Sequence, residues 1–377
     1  MIQNSLYLHI PFCKQACHYC DFHFSTNLKT KEGVLAQMHL ELQSKAALSP
    51  WKSTTLKSVY FGGGTPSILA SSELKELLNA IKSLFSYAHD MEVTLEANPD
   101  DITLDKLNSW HDLGINRLSV GIQSFHETEL KACNRAHDSS MAHSALEMIN
   151  ASAFSNFSID LIYGMIGSSI TSWKENLDLA YSYAPSHISC YILAVEKRTV
   201  LDKQVRTGEV VLPSDHIALQ QFADLREWAK IHNYEHYELS NFSQPGRHSI
   251  HNKHYWSYQP YLGIGPGAHS FNGEQRSWNV SNNIRYAKGE AGDHENLSVQ
   301  EKLNERLMVR LHTSDGFILS RDLDPLGLNP DMTARFTYNI KNALEQGKII
   351  EIPGGFRISA SDWIVSDRII SDLFIED

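Results

Sequence analysis

Three cysteines lie close together near the amino terminus: Cys13, Cys17 and Cys20. Thiolates crowded into one tight loop can surround a compact metal centre. A cubane iron–sulfur cluster usually takes four cysteine ligands. Because only three cysteines are local here, one iron would lack a protein ligand and would be free to bind a small molecule. The spacing therefore predicts a 4Fe-4S cluster with one open iron.

Structural zinc, completed by His9, His18 or His23, is the alternative to a cluster. Tetrahedral zinc sites usually combine two short motifs that are distant in sequence, and this sequence has no second cysteine pair. Cys133 and Cys190 stand alone, and we interpret them as buried, inert thiols. An odd number of cysteines in a long chain does not suggest a disulfide framework.

Short apolar runs alternate with longer stretches of helical spacing in the first half of the chain. The runs predicted as strands are Ser5–Ile10, Leu56–Phe61, Glu92–Ala97, Arg117–Gln123, Phe157–Tyr163 and His187–Leu193. The stretches predicted as helices are Lys31–Lys45, Ser72–Phe85, Thr103–Leu113, Ser139–Ile149 and Thr171–Tyr183. This alternation predicts an α/β fold whose parallel sheet is closed, or nearly closed, into a partial (β/α)6 TIM-like barrel.

Residues that could bind a ligand or take part in chemistry lie in or just after the later part of each predicted strand. They are the cysteine cluster, Gly62–Thr65, Glu96, Gln123, Asp160 and the residues after Leu193. A parallel barrel brings the carboxyl ends of its strands to one mouth, where active sites are built. We therefore predict a ligand site at this mouth. The glycines alone are equally consistent with a tight turn or with exposed amides that receive a polar ligand group.

The pattern changes after residue 193. The later predicted elements are a helix at Pro213–Ile231, a strand at His236–Phe242, a loop-rich span at 243–292, a helix at Glu301–Leu311, a hairpin formed by Lys348–Ile352 and Phe356–Ile358, and a final helix. Helices followed by a small hairpin resemble a winged-helix module, here interpreted as a packing or lid module. The predicted regions are a barrel at 1–235, a loop-rich segment at 236–297 and a C-terminal domain at 298–377.

Composition narrows the function classes. Lys and Arg total 33 against 44 Asp and Glu, a net charge of −11, which argues against a nucleic-acid partner. Hydrophobic residues make up 42% of the chain, which excludes a disordered protein. No apolar run approaches the roughly 20 residues of a transmembrane helix. The first residues lack the features of a signal peptide, so we predict a cytoplasmic location.

Taken together, the motifs resemble the radical S-adenosylmethionine (SAM) superfamily, and within it the oxygen-independent coproporphyrinogen III oxidase-like group. The cluster loop runs from Tyr7 through Pro11 to Cys20. The resemblance continues, over nearly the whole chain, through Gly62–Ser67, Glu96–Pro99, Ser119–Phe125, Asn134-Arg135 and Asp160–Gly164. One departure is Met165-Ile166-Gly167, where the family usually has Leu-Pro-Gly.

The resemblance implies that the open iron binds the amino and carboxylate groups of SAM, and that a reduced cluster cleaves the cofactor to a 5′-deoxyadenosyl radical. The residues that it assigns to the SAM site are Tyr7, Gly63, Gly64, Thr65, Glu96, Gln123, Arg135, Asp160 and Ala194. The guanidinium of Arg135 is suited to a bidentate ion pair with a carboxylate. Outside this motif, a surface ion pair would be the ordinary interpretation of such an arginine.

Two branches of the group are relevant, the oxidases and the haem chaperones. Oxidases typically carry a fourth cysteine where this chain has Phe22, together with a longer amino-terminal tail. The segment His251–Trp256 matches the His-Asn-x-x-Tyr-Trp motif associated with haem binding in the chaperone branch. Imidazole is a suitable axial ligand for haem iron. His251 is the first candidate, with His248 and His254 next, against the alternative of a hydrogen-bonded core histidine.

We therefore expect a haem chaperone that binds haem, a 4Fe-4S cluster and SAM, and that delivers haem to an acceptor haem protein. The alternative is oxidative decarboxylation by a coproporphyrinogen III oxidase, or another radical SAM reaction. The expected partners are haem, an acceptor haem protein and an electron donor protein. The chain is expected to act as a monomer or homodimer, without a transmembrane segment, although transient contact with a membrane protein is compatible with this view.

Overall fold

The computed structural model describes residues 3–376 of the chain. Its strands are β1 (Gln3–Ile10), β2 (Thr55–Gly63), β3 (Ser86–Ala97), β4 (Arg117–Gln123), β5 (Phe157–Tyr163), β6 (His187–Ile192), β7 (Glu235–Glu238), β8 (Asn241–Ser243), β9 (Tyr261–Ile264), β10 (His269–Phe271), β11 (Gln275–Trp278), β12 (Asp293–Asn296), β13 (Phe317–Ile318), β14 (Ile350–Ile352) and β15 (Gly355–Arg357).

The α-helices are α1 (Lys31–Ala46), α2 (Ser71–Leu84), α3 (Leu104–Asp112), α4 (Glu127–Ala132), α5 (Ser139–Asn150), α6 (Ile170–Ser182), α7 (Val200–Arg206), α8 (Asp215–Ile231), α9 (Ile250–Trp256), α10 (Asn283–Ala287), α11 (Val299–Leu311), α12 (Pro330–Glu345) and α13 (Ser366–Ser371). Shorter turns of 3-10 helix lie at Leu28–Thr30, Pro66–Ile68, Pro99–Asp101, Asp324–Leu326 and Ala360–Val365, with a π-helical turn at Leu319–Leu323. No helix within residues 3–376 is both long and apolar enough to cross a membrane.

Twelve strands form one sheet in the order β12-β11-β10-β9-β1-β2-β3-β4-β5-β6-β8-β7. Strands β1 to β6 are parallel and sequential, which confirms the predicted barrel of strand–helix units. In the described structure the sheet order has two ends, so β6 does not pair with β1 and the barrel is partial.

The side chains of β1 alternate between two environments, the core under the helices and the inside of the barrel. Leu6, Leu8 and Ile10 are fully buried in a core that also contains Val34 and Met38 of α1. Tyr7 and His9 point the other way and hydrogen-bond each other through the Tyr7 hydroxyl and His9 Nδ1, 3.1 Å apart. Because side chains alternate across a strand, the apolar set packs under the helices and the polar set lines the inside of the barrel.

One prediction for the second half was wrong. The expected strand His236–Phe242 is a hairpin of β7 and β8, with its turn at Leu239-Ser240. The loop-rich span 243–292 also contains regular elements that were not predicted, namely α9, α10 and the strands β9 to β11. β9 joins the barrel sheet beside β1, and its partner β10 continues that sheet. The region boundaries 235/236 and 297/298 stay predictions.

The residues after 298 contain α11 to α13 and a small sheet of order β13-β15-β14. The predicted carboxyl-terminal hairpin is confirmed as β14 and β15. Backbone hydrogen bonds connect this part to the hairpin of β7 and β8, from Leu239 N to His312 O at 2.9 Å and from Ser314 N to Tyr237 O at 3.0 Å. The likeness to a winged helix stays a prediction.

Candidate cofactor site at the barrel mouth

The cysteine loop begins directly after β1, and backbone hydrogen bonds join its two ends. The amide of Cys13 donates to the carbonyl of Ser25 at 3.1 Å, and the amide of Ser25 donates to the carbonyl of Pro11 at 2.9 Å. His18 N donates to Cys133 O at 3.1 Å, which attaches the loop to the end of α4. All three cysteines in this loop are free thiols and only partly exposed.

The glycine segment after β2 packs backbone to backbone against this loop. Gly64 N donates to Ile10 O at 2.9 Å, and Thr65 N donates to Phe12 O at 2.7 Å. A Cβ atom on Gly64 would fall 2.8 Å from both the nitrogen and the oxygen of Phe12. A glycine is therefore required here because no side chain fits between the two loops.

A hydroxyl and a guanidinium lie beside two of the sulfurs. Thr65 Oγ1 is 3.4 Å from Cys13 Sγ, and Arg135 Nη1 is 3.3 Å from Cys17 Sγ. Burial raises the pKa of the Cys13 thiol, and it raises the pKa of Cys20 to about 11. The thiolate forms thus need a cation to stabilise them, and a bound metal centre supplies one because it deprotonates its thiol ligands.

Within residues 3–376, no three His, Cys, Asp or Glu side chains converge closely enough to hold one metal ion. In a cubane each cysteine binds a different iron, so its sulfurs surround a larger object than a single ion does. The donor set of three thiols, an adjacent cation and a hydroxyl donor fits an anionic cluster.

Arg135 is the most connected side chain of the mouth. Besides Cys17, its Nη1 is 3.3 Å from the Tyr19 hydroxyl, while its Nη2 donates to Asn98 Oδ1 at 3.0 Å and to the carbonyl of Gly121 at 2.8 Å. Its Nε is buried without a hydrogen-bond partner in the described structure. An unsatisfied buried donor is unusual in a folded protein, and it fits an additional anionic group at this position.

Two carboxyl groups line the inner wall. Glu96 Oε1 accepts a 2.8 Å hydrogen bond from the Tyr60 hydroxyl, and burial raises the pKa of Glu96 to about 7. Asp160 accepts from Ser119 Oγ at 3.0 Å and from Ser158 Oγ at 3.2 Å. Burial also raises the pKa of Asp160, and these hydroxyl donors partly offset the increase. Such carboxyl groups suit ligand hydroxyl or ammonium groups.

The structure brings most of the predicted SAM residues together. A Cβ on Gly62 would lie 3.0 Å from both Glu96 Oε1 and the Tyr7 ring, so these side chains converge there. At Gly121 a Cβ would lie 3.0 Å from Gln123 Nε2 and 3.2 Å from Arg135 Nη2.

The remaining predicted residues lie at the carboxyl ends of their strands. Gly63 has φ +109°, and Gln123 has φ +66° where β4 ends. Ala194 is exposed just after β6.

His251 lies inside the barrel beside two residues of the mouth, with its ring centroid 6.3 Å from that of Tyr7 and 4.8 Å from that of Tyr60. It is 1% exposed, and its Nδ1 is 2.8 Å from Ser58 Oγ while its Nε2 is 3.1 Å from the Tyr255 hydroxyl. Burial lowers its pKa well below the usual value, so the ring is neutral at physiological pH. In this conformation both ring nitrogens are engaged, and neither is available to iron.

The two other candidate histidines lie nearer the surface. His248 Nε2 is 2.7 Å from Glu235 Oε2, and the His248 ring stacks on Tyr237 with centroids 4.1 Å apart. His254 Nε2 is 2.9 Å from the carbonyl of Pro260. The space beside His248, lined also by Lys253, Trp256 and Arg310, measures only about 20 Å³, so haem does not fit there without a rearrangement.

Several residues of the mouth were not predicted as part of it. Tyr19, Tyr60 and Asn98 contact the predicted set, and Asn98 lies within a motif that the sequence already showed. The glycine loop after β9 was also missed. β9 is parallel to β1, so Gly265 arrives at the same mouth, where its Cβ would fall 2.4 Å from His9 O. The available signal was a second glycine-rich segment after a short apolar run, here with alternating glycines at 263, 265 and 267 rather than the consecutive glycines at the end of β2.

The fold and the cysteine loop define a barrel of the radical SAM class, and residues 7–180 match the family model of the Radical SAM superfamily. The heme chaperone HemW of Bacillus subtilis is 31% identical over 355 residues, which cover 92% of each chain. The heme chaperone HemW of Escherichia coli is 33% identical over 268 residues, covering 70% of this chain and 69% of that one. The chain belongs to the HemW family of the radical SAM superfamily.

Among solved structures, the coproporphyrinogen III oxidase HemN from Escherichia coli, a radical SAM enzyme, aligns with a TM-score of 0.84 over 99% of this chain and 90% of that chain. The two sequences are 20% identical. This likeness confirms the predicted fold.

Proposed function

We propose that this protein is a haem chaperone that holds a 4Fe-4S cluster and SAM at the barrel mouth, binds haem, and delivers haem to an acceptor haem protein. The observation that carries the proposal is the 31% identity to a heme chaperone HemW over 92% of both chains. The mouth geometry supports the cofactor part. An electron donor protein, a monomeric or homodimeric state and a cytoplasmic location complete the proposal.

Cys13, Cys17 and Cys20 would hold the cluster, whose open iron would bind SAM and which, when reduced, would supply an electron to it. The proposed SAM residues are Tyr7, Gly63, Gly64, Thr65, Glu96, Gln123, Arg135, Asp160 and Ala194. Arg135, with its unpartnered Nε, suits a carboxylate. Glu96 and Asp160 suit an ammonium group or ribose hydroxyls, because carboxylates accept hydrogen bonds from both.

For haem, His251 remains our proposed axial ligand, and the motif helix α9 must then leave its packed position. His248 is the alternative that needs a smaller change, since its side chain is 24% exposed. Phe22, at the position where oxidases carry a fourth cysteine, is 67% exposed. Lacking a thiol there, the chain departs from the oxidase pattern, and we expect no coproporphyrinogen oxidase activity.

The decisive experiment is an anaerobic haem titration of the reconstituted full-length protein, followed by its Soret absorbance. We expect saturable binding that weakens in His251→Ala, with exposed His89→Ala as the matched control. Absence of a Soret band in the wild-type protein, or conversion of coproporphyrinogen to protoporphyrinogen with SAM and a reductant, would overturn the proposal.

The cluster assignment has its own test. Cys17→Ala should lose the absorbance at about 400 nm that arises from thiolate-to-iron charge transfer, and its iron content should fall. Cys190→Ala, which removes a buried thiol from β6, is the control and should keep both signals. Unchanged iron content in Cys17→Ala would refute the assignment.

A further inference from the structure

Asp101 is a buried carboxylate at the carboxyl end of β3, in the 3-10 turn Pro99–Asp101. Its side chain is 2% exposed. A buried carboxylate is costly unless cations and hydrogen-bond donors compensate its charge. The groups that compensate Asp101 come from two other loops of the mouth and from α3, so this side chain joins segments that are distant in sequence.

The first partner is Lys14, which follows Cys13 in the cysteine loop. Its Nζ lies 2.5 Å from Asp101 Oδ1 and 2.7 Å from Asp100 Oδ2. The Lys14 side chain is 44% exposed, so water weakens the ion pair at one end only, because Asp101 is shielded from solvent. The backbone next to Cys13 is therefore attached to the turn that follows β3.

The second partner is Ser67, the last residue of the segment Gly62–Ser67. Its hydroxyl donates to Asp101 Oδ2 at 2.7 Å and accepts from the amide of Asn98 at 3.2 Å. Lys106 of α3 completes the link, since its Nζ is 3.0 Å from the carbonyl of Ser67 and 3.6 Å from Asp101 Oδ1. Each oxygen of the carboxylate thus binds a different loop.

Two short paths lead from these partners to the proposed cofactor residues. Ser67 lies two residues after Thr65, whose hydroxyl is 3.4 Å from Cys13 Sγ. Asn98 donates from Nδ2 to Thr65 Oγ1 at 3.3 Å, and its Oδ1 accepts from Arg135 Nη2 at 3.0 Å. The orientations of the Cys13 sulfur and of the Arg135 guanidinium therefore depend on how these loops are held.

From these contacts we infer that Asp101 is a positioning residue of the mouth, acting on both proposed cofactors through its neighbours. Through Lys14 it holds the cysteine loop for the cluster. Through Ser67 and Asn98 it orients Arg135 toward the carboxylate of SAM. The inference rests on the proposed function and adds a residue that lies outside the motifs of the sequence.

The test compares full-length variants after anaerobic reconstitution, with two readouts. The rate at which an iron chelator removes the absorbance at about 400 nm reports how firmly the loop holds the cluster. Equilibrium dialysis, corrected for cluster content, gives the dissociation constant of SAM. In Asp101→Ala we expect both the chelation rate and the dissociation constant to rise about tenfold, because charge-assisted hydrogen bonds are lost.

Single-partner variants separate the two paths. Lys14→Gln should raise mainly the chelation rate, by up to about fivefold, because it removes one half-exposed ion-pair partner. Ser67→Ala should raise mainly the dissociation constant of SAM, by a similar factor, because Asn98 loses the acceptor of its amide.

Asp322→Ala is the matched control for a general loss of stability. Asp322 is also a buried carboxylate, with a side chain 3% exposed, and it accepts from Arg310 at 2.9 Å and from Arg321 at 2.7 Å in the C-terminal part of the chain. This variant should unfold at a lower temperature, as Asp101→Ala does, yet keep the wild-type chelation rate and SAM affinity.

Wild-type values of both readouts in Asp101→Ala, or equal changes in Asp322→Ala, overturn the inference while the proposed function stands. If Asp101→Ala does not fold, Lys14→Gln and Ser67→Ala decide the question, and wild-type values in both overturn the inference. A wild-type protein that takes up no iron overturns the proposed function, and the inference with it.

Discussion

Glu92 and His251, 159 residues apart in the chain, are joined by a 3.0 Å hydrogen bond from the amide of His251 to Oε1 of Glu92. The other carboxylate oxygen accepts from the amide of Ile250 at 3.1 Å. A strand residue inside the barrel therefore caps the first turn of α9. The guanidinium of Arg117, 2% exposed, lies 3.9 Å from the same carboxylate.

Glu92→Gln should loosen α9. The amide side chain keeps one acceptor but turns a donor toward the backbone amides, and it removes the charge that faces Arg117. We expect the free energy of unfolding to fall by about 2–4 kcal/mol, measured by urea denaturation with circular dichroism. Exposed Glu351→Gln is the control and should change it by less than about 0.5 kcal/mol. Equal stability of the two variants would contradict the capping role.

Gly64→Ala should separate the two loops of the mouth. The added methyl would lie 2.8 Å from the backbone of Phe12. Backbone atoms cannot shift aside as easily as the end of a flexible side chain. We expect a loss of about 2 kcal/mol in stability and a lower iron content after reconstitution. Gly33→Ala in α1 is the matched control, because its Cβ would meet only a methyl group at 3.3 Å. Normal iron content in Gly64→Ala would refute the close-packing argument.

Arg135→Lys should weaken SAM binding. Lysine keeps the positive charge but cannot contact Cys17, Asn98 and Gly121 at once, since it lacks the planar fork. Loss of charge-assisted hydrogen bonds corresponds to roughly a tenfold or larger rise in the dissociation constant. The dissociation constant of SAM is measured by equilibrium dialysis and normalised to the cluster content of each protein. Arg206→Lys changes an exposed ion pair with Asp202 and should leave SAM affinity as it is.

Glu238 should make stability depend on pH. It is 1% exposed, and burial raises its pKa from the usual 4.5 to about 7. Between these values the folded state binds more protons than the unfolded state, so stability falls as pH rises through the window. Glu238→Gln removes this loss. Between pH 4 and pH 8, the free energy of unfolding of the variant should therefore rise relative to that of the wild type by up to about 3 kcal/mol.

Thermal unfolding of the wild-type protein and Glu238→Gln at several pH values in that range measures the difference. Glu96 also titrates near pH 7, since burial raises its pKa to about that value. It is present in both proteins and cancels from the comparison. If the two proteins differed in stability by the same amount at every pH, the Glu238 carboxyl would not change its charge on folding in this range.

The first half of the fold and most of the mouth follow from local patterns. β4 and β5 are short runs rich in apolar residues and each is followed by a helix, so the predicted strands Arg117–Gln123 and Phe157–Tyr163 match them. Because the carboxyl ends of parallel strands meet at one edge of the sheet, the residues at these ends could be grouped from the sequence alone.

The second half depends on partners that local patterns do not reveal. The seven-residue helix α9 has a local N-cap in Ser249, but its first two amides donate to Glu92, far away in sequence. β9 and β10 are only 4 and 3 residues long, and they are ordered by pairing with β1 and with each other. The turn at Leu239-Ser240 lacks the glycine or asparagine that usually marks a tight hairpin.

The pairing of β1 with β9 has a consequence for how the protein matures. The strand that leads into the cysteine loop is synthesised well before Tyr261–Ile264, one of its two neighbours, and Gly265 packs against His9. A nascent chain that stops short of residue 265 therefore leaves one edge of β1 unpaired. We expect the proposed cluster to bind only after translation has passed residue 265, so truncated chains should remain colourless even when all three thiols are present.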